Sequence, residues 1–302
     1  MQEIAIRRPD GTPLVRYDGT ALERRWGAPL LAVHRADLLA AELEGLGRGA
    51  VRERAEVELV EPGGVRLTDG TVLEADLVVG ADGARSVTRS ALLCDGDPRP
   101  AGLVAFRGVA RWSAAVPAGE WWGAGAIAGL LPLRGGRVYW YIACDERDEA
   151  PVAALADRLA EPVAEAVWST PDGTILRHEL ADRSPGRRMT GAGIALLGDA
   201  AHPMLPFLGQ GASSALEDAA CLGRALAAAE LEPALRRYER ERAAATARLV
   251  GGSRSAARAA ILRSRGLRAV RDQLLAATPQ GIHLRRLGRL LQLPSTTTEA
   301  LA

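Results

Sequence analysis

Two apolar segments of the sequence each end in glycine and aspartate. They read DLVVGADG over residues 76–83 and GIALLGDAAH over residues 193–202. Each is typical of a short buried strand followed by a tight turn, and open α/β sheets bind ligands at the carboxyl ends of their strands. A carboxylate such as Asp199 accepts hydrogen bonds from ligand hydroxyls, and Gly198 allows close approach of the backbone. The two junctions therefore predict a ligand-binding edge.

The segment PFLGQGAS, residues 206–213, places glycines where a helix begins. We predict that this helix runs from about Gly211 to Ala229. Its first N–H groups and the positive end of its dipole would favour an anion, or a ligand that acquires negative charge. An ordinary turn with glycines would explain GQG alone, but the strand, the aspartate and the helix start together favour a ligand site.

The remaining sequence predicts the elements that position these residues. Residues 3–17 read as two strands around a turn at Asp10 and Gly11, and residues 34–46 as an amphipathic helix. A small antiparallel meander precedes the strand at 76–80. Residues 102–145 are rich in aromatics and glycine without helical periodicity, which indicates a sheet. Helices and a returning strand follow, and a long amphipathic helix continues after Ala229.

Composition limits the possible partners of the chain. The 302 residues are 48% hydrophobic, and 38 basic against 37 acidic residues leave a net charge of +1. We therefore expect no nucleic-acid partner. All basic residues are arginines, which excludes chemistry that needs a lysine amine. Three scattered cysteines predict no disulfide framework and no metal site, and no apolar run is long enough for a membrane span. These features favour a cytoplasmic location.

The two Gly-Asp junctions resemble motifs of a known enzyme family. DLVVGADGARSVTR is similar to the Asp-Gly motif, and GIALLGDAAHPMLPFLGQGASSALEDA to the Gly-Asp motif, of the class A FAD-dependent aromatic hydroxylases. That group contains the para-hydroxybenzoate and salicylate hydroxylases. VHRADLL matches a helix start that carries a cofactor-contacting arginine in the family. The resemblance covers the chain from about Ala32 to Arg254.

The resemblance implies a binding role for each matched residue. Asp199 would bind the ribityl hydroxyls of FAD, Arg35 would approach its pyrophosphate, and residues 208–211 would face the pyrimidine side of the isoalloxazine. Asp82 and Gly83 would serve the pyrophosphates of both FAD and NAD(P)H. The implied cofactor-binding residues are Arg35, Asp82, Gly83, Asp199, Pro206, Leu208, Gly209, Gln210 and Gly211. No catalytic residue is identified.

The family's reaction is implied with the cofactor. NAD(P)H reduces FAD, dioxygen forms a C4a-hydroperoxide on the reduced flavin, and one oxygen atom passes to an aromatic or conjugated small molecule. The candidates for a substrate pocket are Arg107, Trp121, Trp122, Tyr139 and Tyr141. At least half of the four aromatic residues among them are expected to pack within the sheet instead, since aromatic residues favour strands.

The fold class implied is α/β. An incomplete FAD-binding domain, Rossmann-like as in glutathione reductase, would carry an inserted, mainly β substrate domain and C-terminal helices. We assign 31–98 and 186–256 to the FAD-binding domain, 1–30 and 99–185 to the substrate domain, and 257–302 to a helical segment.

The sequence departs from the family at its beginning. Family members start with a strand, a Gly-x-Gly-x-x-Gly turn and a helix. No glycine cluster of this sequence has that context. We expect a coding sequence that begins further upstream, and alternatively a partner that supplies the unit or a compromised cofactor site. The alternative function is a non-catalytic remnant or partner-binding module of the same fold.

Three other polar residues have two interpretations each. His202 could transfer protons, but a hydrogen bond within the turn is the better interpretation. Glu217 and Asp218 are adjacent on a helix and diverge by about 100°. They are therefore expected to be surface or supporting residues rather than a paired catalytic site.

Overall fold

A computed structural model describes residues 3–47, 49–113, 115–171, 173–184, 186 and 188–291. The strands are β1 (Glu3–Arg7), β2 (Pro13–Asp18), β3 (Val57–Glu61), β4 (Gly64–Leu67), β5 (Val72–Glu74), β6 (Val78–Gly80), β7 (Arg99–Arg111), β8 (Gly119–Trp122), β9 (Ala126–Leu133), β10 (Arg137–Asp145), β11 (Leu176–Asp182), β12 (Thr190–Gly191) and β13 (Ile194–Leu196). The α-helices are α1 (Gly19–Trp26), α2 (Arg35–Glu44), α3 (Val87–Leu93), α4 (Val152–Asp157), α5 (Glu161–Trp168), α6 (Gly198–Ala201), α7 (Gly211–Ala228), α8 (Leu231–Ala260), α9 (Arg265–Ala277) and α10 (Gln280–Leu291).

The chain divides into two compact units. Unit 1 comprises the described residues of Met1–Gly47, Gly102–Leu180 and Arg258–Ala302, and unit 2 those of Arg48–Ala101 and Ala181–Ala257. Strands β7 and β11 and helix α8 cross the boundaries. These bounds group residues 31–47 and the C-terminal helices with unit 1, whereas the sequence assignment placed them elsewhere. Which unit binds which ligand stays a prediction.

Unit 1 is built on a sheet whose strand order is β11-β7-β10-β9-β8-β1-β2. Strands β7 to β10 pair antiparallel in order β7-β10-β9-β8, and β1 pairs parallel with β8 and antiparallel with β2. One face of the sheet packs on α4 and α5 in an apolar core. Trp140 lies at the centre of that core and donates from Nε1 to Thr170 Oγ1 at 2.7 Å. The predicted aromatic sheet is confirmed.

Unit 2 contains two three-stranded sheets among the described residues. The meander β3-β4-β5 is antiparallel, as its two glycine turns predict. In the other sheet, β13 lies between β12 and β6 and runs parallel to β6. The core beside it includes Leu196 and Tyr238, and the tyrosine hydroxyl of α8 donates to the Leu196 carbonyl at 2.7 Å. This bond ties α8 to the strand that precedes Asp199.

No helix of the described residues is both long enough and apolar enough to cross a membrane. The polar segment PSTTTEALA, which ends the sequence after Leu293, lies outside the described residues.

Candidate functional site

The Gly-Asp turn follows β13 directly and forms the short helix α6. Gly198 has φ 54°, and a Cβ there would lie 2.9 Å from Ala215 Cβ of α7. Only glycine fits this position without strain, because the backbone is left-handed and a neighbouring helix packs against it. The next residue, Asp199, is exposed. The turn therefore presents a carboxylate to solvent while its backbone is fixed from behind.

Asp218 of α7 fixes one side of this turn. Its fully buried carboxylate accepts hydrogen bonds from the Gly198 N–H at 3.0 Å and from His202 Nε2 at 2.5 Å. Arg242 of α8 donates from Nε to the other oxygen at 2.6 Å. Burial alone would raise the pKa of Asp218, but the bonds from His202, Arg242 and Gly198 lower it below its ordinary value. The carboxylate is held ionised by these three donors.

Arg89 of α3 fixes the other side of the turn. This buried side chain donates from Nη1 to the carbonyls of Ala200 and Ala201 at 2.9 and 2.6 Å. Asp95 in turn accepts from its Nε at 2.9 Å. Arg89 stands in the Asp-Gly motif, so that motif supports the Gly-Asp turn through a side chain. The sequence prediction missed both Arg89 and the inward orientation of Asp218.

The contact of His202 supports the structure of the turn, which is the interpretation preferred from the sequence. Its partner, however, lies on α7 rather than within the turn. Its Nε2 faces Asp218, and its buried Nδ1 has no hydrogen-bond partner among the described residues.

The helix start at α7 is open. Pro206–Leu208 form a 3-10 turn that ends at Gly209 with φ 63°. Gln210 caps α7 with no side-chain bond to the first N–H groups, since its amide instead donates to the Leu208 carbonyl at 3.3 Å. A Cβ on Gly209 or Gly211 would meet open space. The first turn of α7 has no acidic residue, so its N–H groups and positive dipole end are available to a ligand.

Asp82 and Gly83 follow the neighbouring strand β6. Gly80 of β6 is the register partner of Leu196, so the chain after each strand leaves at the same edge of the sheet. Asp82 already accepts hydrogen bonds from Ser86 Oγ at 2.5 Å and from the Thr88 N–H at 3.0 Å. Both interactions turn the chain into α3. The Thr88 hydroxyl also donates to Oδ2 at 3.1 Å, so only Oδ1 retains a further acceptor position, and a ligand role for Asp82 stays a prediction.

In unit 1, Arg35 is the first residue of α2. It is exposed, and no residue of α2 is buried. The predicted helix forms, but two of its leucines, Leu39 and Leu43, remain exposed. The position of Arg35 leaves its guanidinium accessible to a ligand, and its pyrophosphate role stays a prediction.

The sheet of unit 1 brings four of the five pocket candidates to one face. Tyr139, Tyr141, Trp122 and Arg107 lie on the face opposite the core, and all four are partly exposed. Trp121 lies on the other face, is 2% exposed and packs in the core. Adjacent residues of a strand point to opposite faces, so both tryptophans cannot line one pocket. The structure corrects the prediction for Trp121.

Glu120 is a polar residue of this face that the sequence prediction missed. Its carboxylate accepts a hydrogen bond from Trp122 Nε1 at 2.7 Å and another from the Tyr141 hydroxyl. The signal available in the sequence was a single acidic residue at alternate spacing from Trp122 within an otherwise apolar strand.

Comparison with known proteins gives a family and several similar proteins. A family described as FAD binding domain matches residues 36–253. The chain is 35% identical to the aurachin C monooxygenase/isomerase of Stigmatella aurantiaca, over 82% of this chain and 69% of that protein. It is 37% identical to the 3-amino-4-hydroxybenzoate 2-monooxygenase of Streptomyces cremeus, over 95% of this chain and 78% of that protein.

A solved structure extends the similarity to the fold. Klebsiella pneumoniae HpxO complexed with FAD and uric acid matches 97% of this chain and 80% of its own, with TM-score 0.87 and 25% identity. The two relatives above are named for oxygenation reactions, so the comparisons do not favour a non-catalytic module. The chain belongs to the class A FAD-dependent aromatic hydroxylases.

Proposed function

We propose that this monooxygenase consumes NAD(P)H and dioxygen to hydroxylate an aromatic or conjugated small molecule. The observation that carries the proposal lies at the edge of unit 2. The Gly-Asp turn there presents the exposed Asp199 and leads to the uncapped start of α7. When bound, FAD would supply the redox chemistry, which comprises accepting electrons from NAD(P)H and transferring oxygen to the substrate.

The residues at this edge fit the polar parts of FAD. Asp199 can accept hydrogen bonds from ribityl hydroxyls, because no described residue of unit 2 donates a hydrogen bond to its carboxylate. The open backbone at residues 208–211 fits a flat ring system, and the helix end fits negative charge on it. Arg35, Asp82, Gly83 and Pro206 are the further cofactor contacts of the proposal.

The aromatic face of unit 1 fits the proposed substrate. Trp122, Tyr139 and Tyr141 offer ring surfaces, and Arg107 offers a cation that has no hydrogen-bond partner among the described residues. A planar organic molecule with an acidic substituent has complementary chemistry.

FAD titration of the purified chain tests the cofactor half of the proposal. Flavin absorbance and fluorescence should report saturable binding. Asp199→Ala should raise the dissociation constant by about tenfold or more, the loss expected when a hydrogen bond to a charged group is removed. Asp97→Ala, which removes an exposed carboxylate elsewhere in unit 2, is the matched control and should bind FAD like the wild type. Equal binding by all three proteins would overturn the role of Asp199.

Turnover tests the other half. With FAD bound, NADH and NADPH oxidation are compared in the presence of 3-amino-4-hydroxybenzoate, and the product is analysed after reaction under isotopically labelled dioxygen. Incorporation of one labelled oxygen atom supports a monooxygenase. Reduced-nucleotide oxidation with no labelled product would contradict the proposed hydroxylation.

A further inference from the structure

A cavity of about 280 Å³ lies in unit 1 at the end of β10. Its apolar walls are formed by Cys144 of β10, Ala126 of β9, Leu155 of α4 and Leu159 just after α4, and all four are buried. Cys144 and Trp140 point to the same face of the sheet, because side chains alternate along a strand. The cavity therefore lies on the face that packs on α4 and α5, opposite to the face proposed for the substrate.

The Cys144 thiol is a wall of this cavity rather than a reactive group. Burial, followed by the nearby carboxylates of Glu149, Asp148 and Asp145, raises its pKa to about 11. The thiol therefore stays protonated at pH 7, and a buried, protonated thiol behaves as a small apolar group. These walls fit the apolar body of a ligand.

An ion pair lies on the polar side of the cavity. Arg263, from the segment between α8 and α9, donates from Nη2 to Asp148 Oδ1 at 2.7 Å. The pair lies close against Gly125 of the β8–β9 turn, where a Cβ would lie 2.9 Å from Asp148 Oδ2. The Gly125 N–H donates to the Leu262 carbonyl at 3.1 Å and so holds the segment that carries Arg263. The two charges of this pair offset each other.

Arg158 supplies a further positive charge to the cavity. Its Nε donates to the Ala154 carbonyl at 3.2 Å, one turn earlier in the chain. Among the described residues, no carboxylate forms an ion pair with it. Its charge acts on the cavity wall, since it lowers the pKa of the Cys144 thiol against the opposite effect of the carboxylates. The two terminal nitrogens of Arg158 are available to a ligand, and a guanidinium binds a carboxylate through two parallel hydrogen bonds.

The size and charge of the cavity limit its ligand. An apolar cavity of about 150 Å³ is large enough to hold benzene. The larger volume here, about 280 Å³, is therefore enough for one six-membered ring with a small substituent. The unpaired Arg158 matches one negative charge, whereas Asp148 on the same side disfavours a second one. A carboxylate with a single charge thus fits better than a phosphate ester.

We propose that this cavity is a second ligand site, which binds a small carboxylate with an apolar body of about one ring. The ring lies among Cys144, Leu155 and Leu159, and the carboxylate binds Arg158. The site uses neither the cofactor edge of unit 2 nor the substrate face of unit 1. The inference therefore goes beyond the proposed function and does not depend on it.

Calorimetric titration of the purified full chain with benzoate and with benzamide tests the inference. The two probes have nearly the same shape and differ in charge. Benzoate should bind about three- to tenfold tighter, because it pairs with a guanidinium that is partly solvated. In Arg158→Ala, benzoate should lose this advantage while benzamide binds as before. A purely structural role of Arg158 would instead weaken both probes alike. Arg158→Lys keeps the charge and should retain part of the preference.

Two further variants test whether the probes enter this cavity. Ala124 lies on its exposed rim, so Ala124→Phe narrows the entrance without deleting a charge. Binding of both probes at this site should be lost. Arg134→Ala removes an exposed arginine from the β9–β10 turn, away from the cavity, and is the matched control. It should bind both probes like the wild type. Circular dichroism checks that each variant is folded.

The outcomes separate this inference from the proposed function. The inference is wrong if the wild type binds neither probe or binds both equally, or if Arg158→Ala or Ala124→Phe keeps the benzoate preference. If Arg107→Ala removes the preference and Arg158→Ala does not, benzoate binds at the substrate face, which overturns the inference and supports the proposed function. The measurement requires neither FAD nor turnover, so a failure of the proposed function would leave its result unchanged.

Discussion

Asp218 is the single residue on which most of the cofactor turn depends. From α7, its carboxylate accepts hydrogen bonds from the Gly198 N–H and His202 of the turn and from Arg242 of α8. Asp199 can be positioned only if this backbone is fixed. The charge at Asp218 thus acts on the predicted cofactor residue from the opposite side of the turn, without any contact with a ligand.

Asp218→Asn should destabilise the protein, because it leaves Arg242 without its buried counter-charge and places an amide donor against other donors. We expect the free energy of unfolding at pH 7 to fall by about 3 kcal/mol, measured by urea denaturation. Glu217→Gln is the matched control, since Glu217 also pairs with Arg242 at 2.8 Å but is partly exposed. It should cost less than about 1 kcal/mol.

The same variant gives a pH dependence with a definite sign. The folded-state pKa of Asp218 is lowered, so its contribution is present above the unfolded value of about 3.9 and is lost as pH falls through the folded pKa. The stability difference between wild type and Asp218→Asn should therefore shrink below about pH 4. A difference that stays constant down to pH 3 would show that packing, and not charge, explains the loss.

At the scale of elements, the start of α7 combines a strained position with an open one. Gly209 has φ 63°, where an added Cβ is unfavourable, whereas Gly211 begins the helix with open space beside it. The two glycines therefore have different reasons to be there. Gly209 allows the left-handed backbone of the turn, and Gly211 leaves space for a ligand at the start of the helix.

Alanine at each position should separate these reasons. Gly209→Ala should lower the free energy of unfolding by about 1–2 kcal/mol, because its backbone is left-handed. Gly211→Ala should leave that free energy unchanged or raise it by up to about 1 kcal/mol, since alanine favours the helix. Its methyl group should nevertheless raise the dissociation constant for FAD. Thermal unfolding of the apoprotein and flavin fluorescence measure the two effects, and unchanged FAD affinity in Gly211→Ala would contradict a cofactor at this helix end.

The sequence predicts these elements better than it predicts their side-chain environment. Strands β6 and β13 and helix α7 are readable because apolar runs, Gly-Asp turns and helical periodicity are local signals. The inward orientation of Asp218 has no local signal. Nothing in the sequence around Glu217 and Asp218 shows which of the two faces the turn and α8, because that depends on where the tertiary structure places Arg242. Trp121 and Trp122 show the same limit, because the strand fixes that they alternate but only the packing of α4 and α5 decides which is inside.

At the scale of the whole molecule, the two units carry ionisable groups with opposite responses to acid. In unit 2, burial of Asp182 and Asp218 is outweighed by their arginine and histidine partners, and the pKa of each is lowered. Arg89 likewise lowers the pKa of Asp95. In unit 1, burial raises the pKa of Glu120. Arginine partners also lower the pKa of Asp145 and of Glu149 in unit 1, but these arginines are exposed and such pairs contribute little stability. Acid therefore removes buried stabilising charges mainly from unit 2, whereas in unit 1 it neutralises the buried charge of Glu120.

Urea unfolding followed by two probes should resolve these responses. All six tryptophans lie in unit 1, so their fluorescence reports that unit alone. The circular dichroism reports the helices of both units, including α7 and most of α8 in unit 2. Glu120 contributes stability below its unfolded pKa of about 4.3 that is lost as pH rises through the raised folded value, and the aspartates contribute in the opposite sense. Between pH 7 and about pH 3.5, the dichroism midpoint should fall more than the fluorescence midpoint. Asp182→Asn should reduce the fall in dichroism, and Glu120→Gln should remove the relative protection of the fluorescence. Midpoints that fall by equal amounts in all three proteins would mean that the units unfold as one cooperative structure.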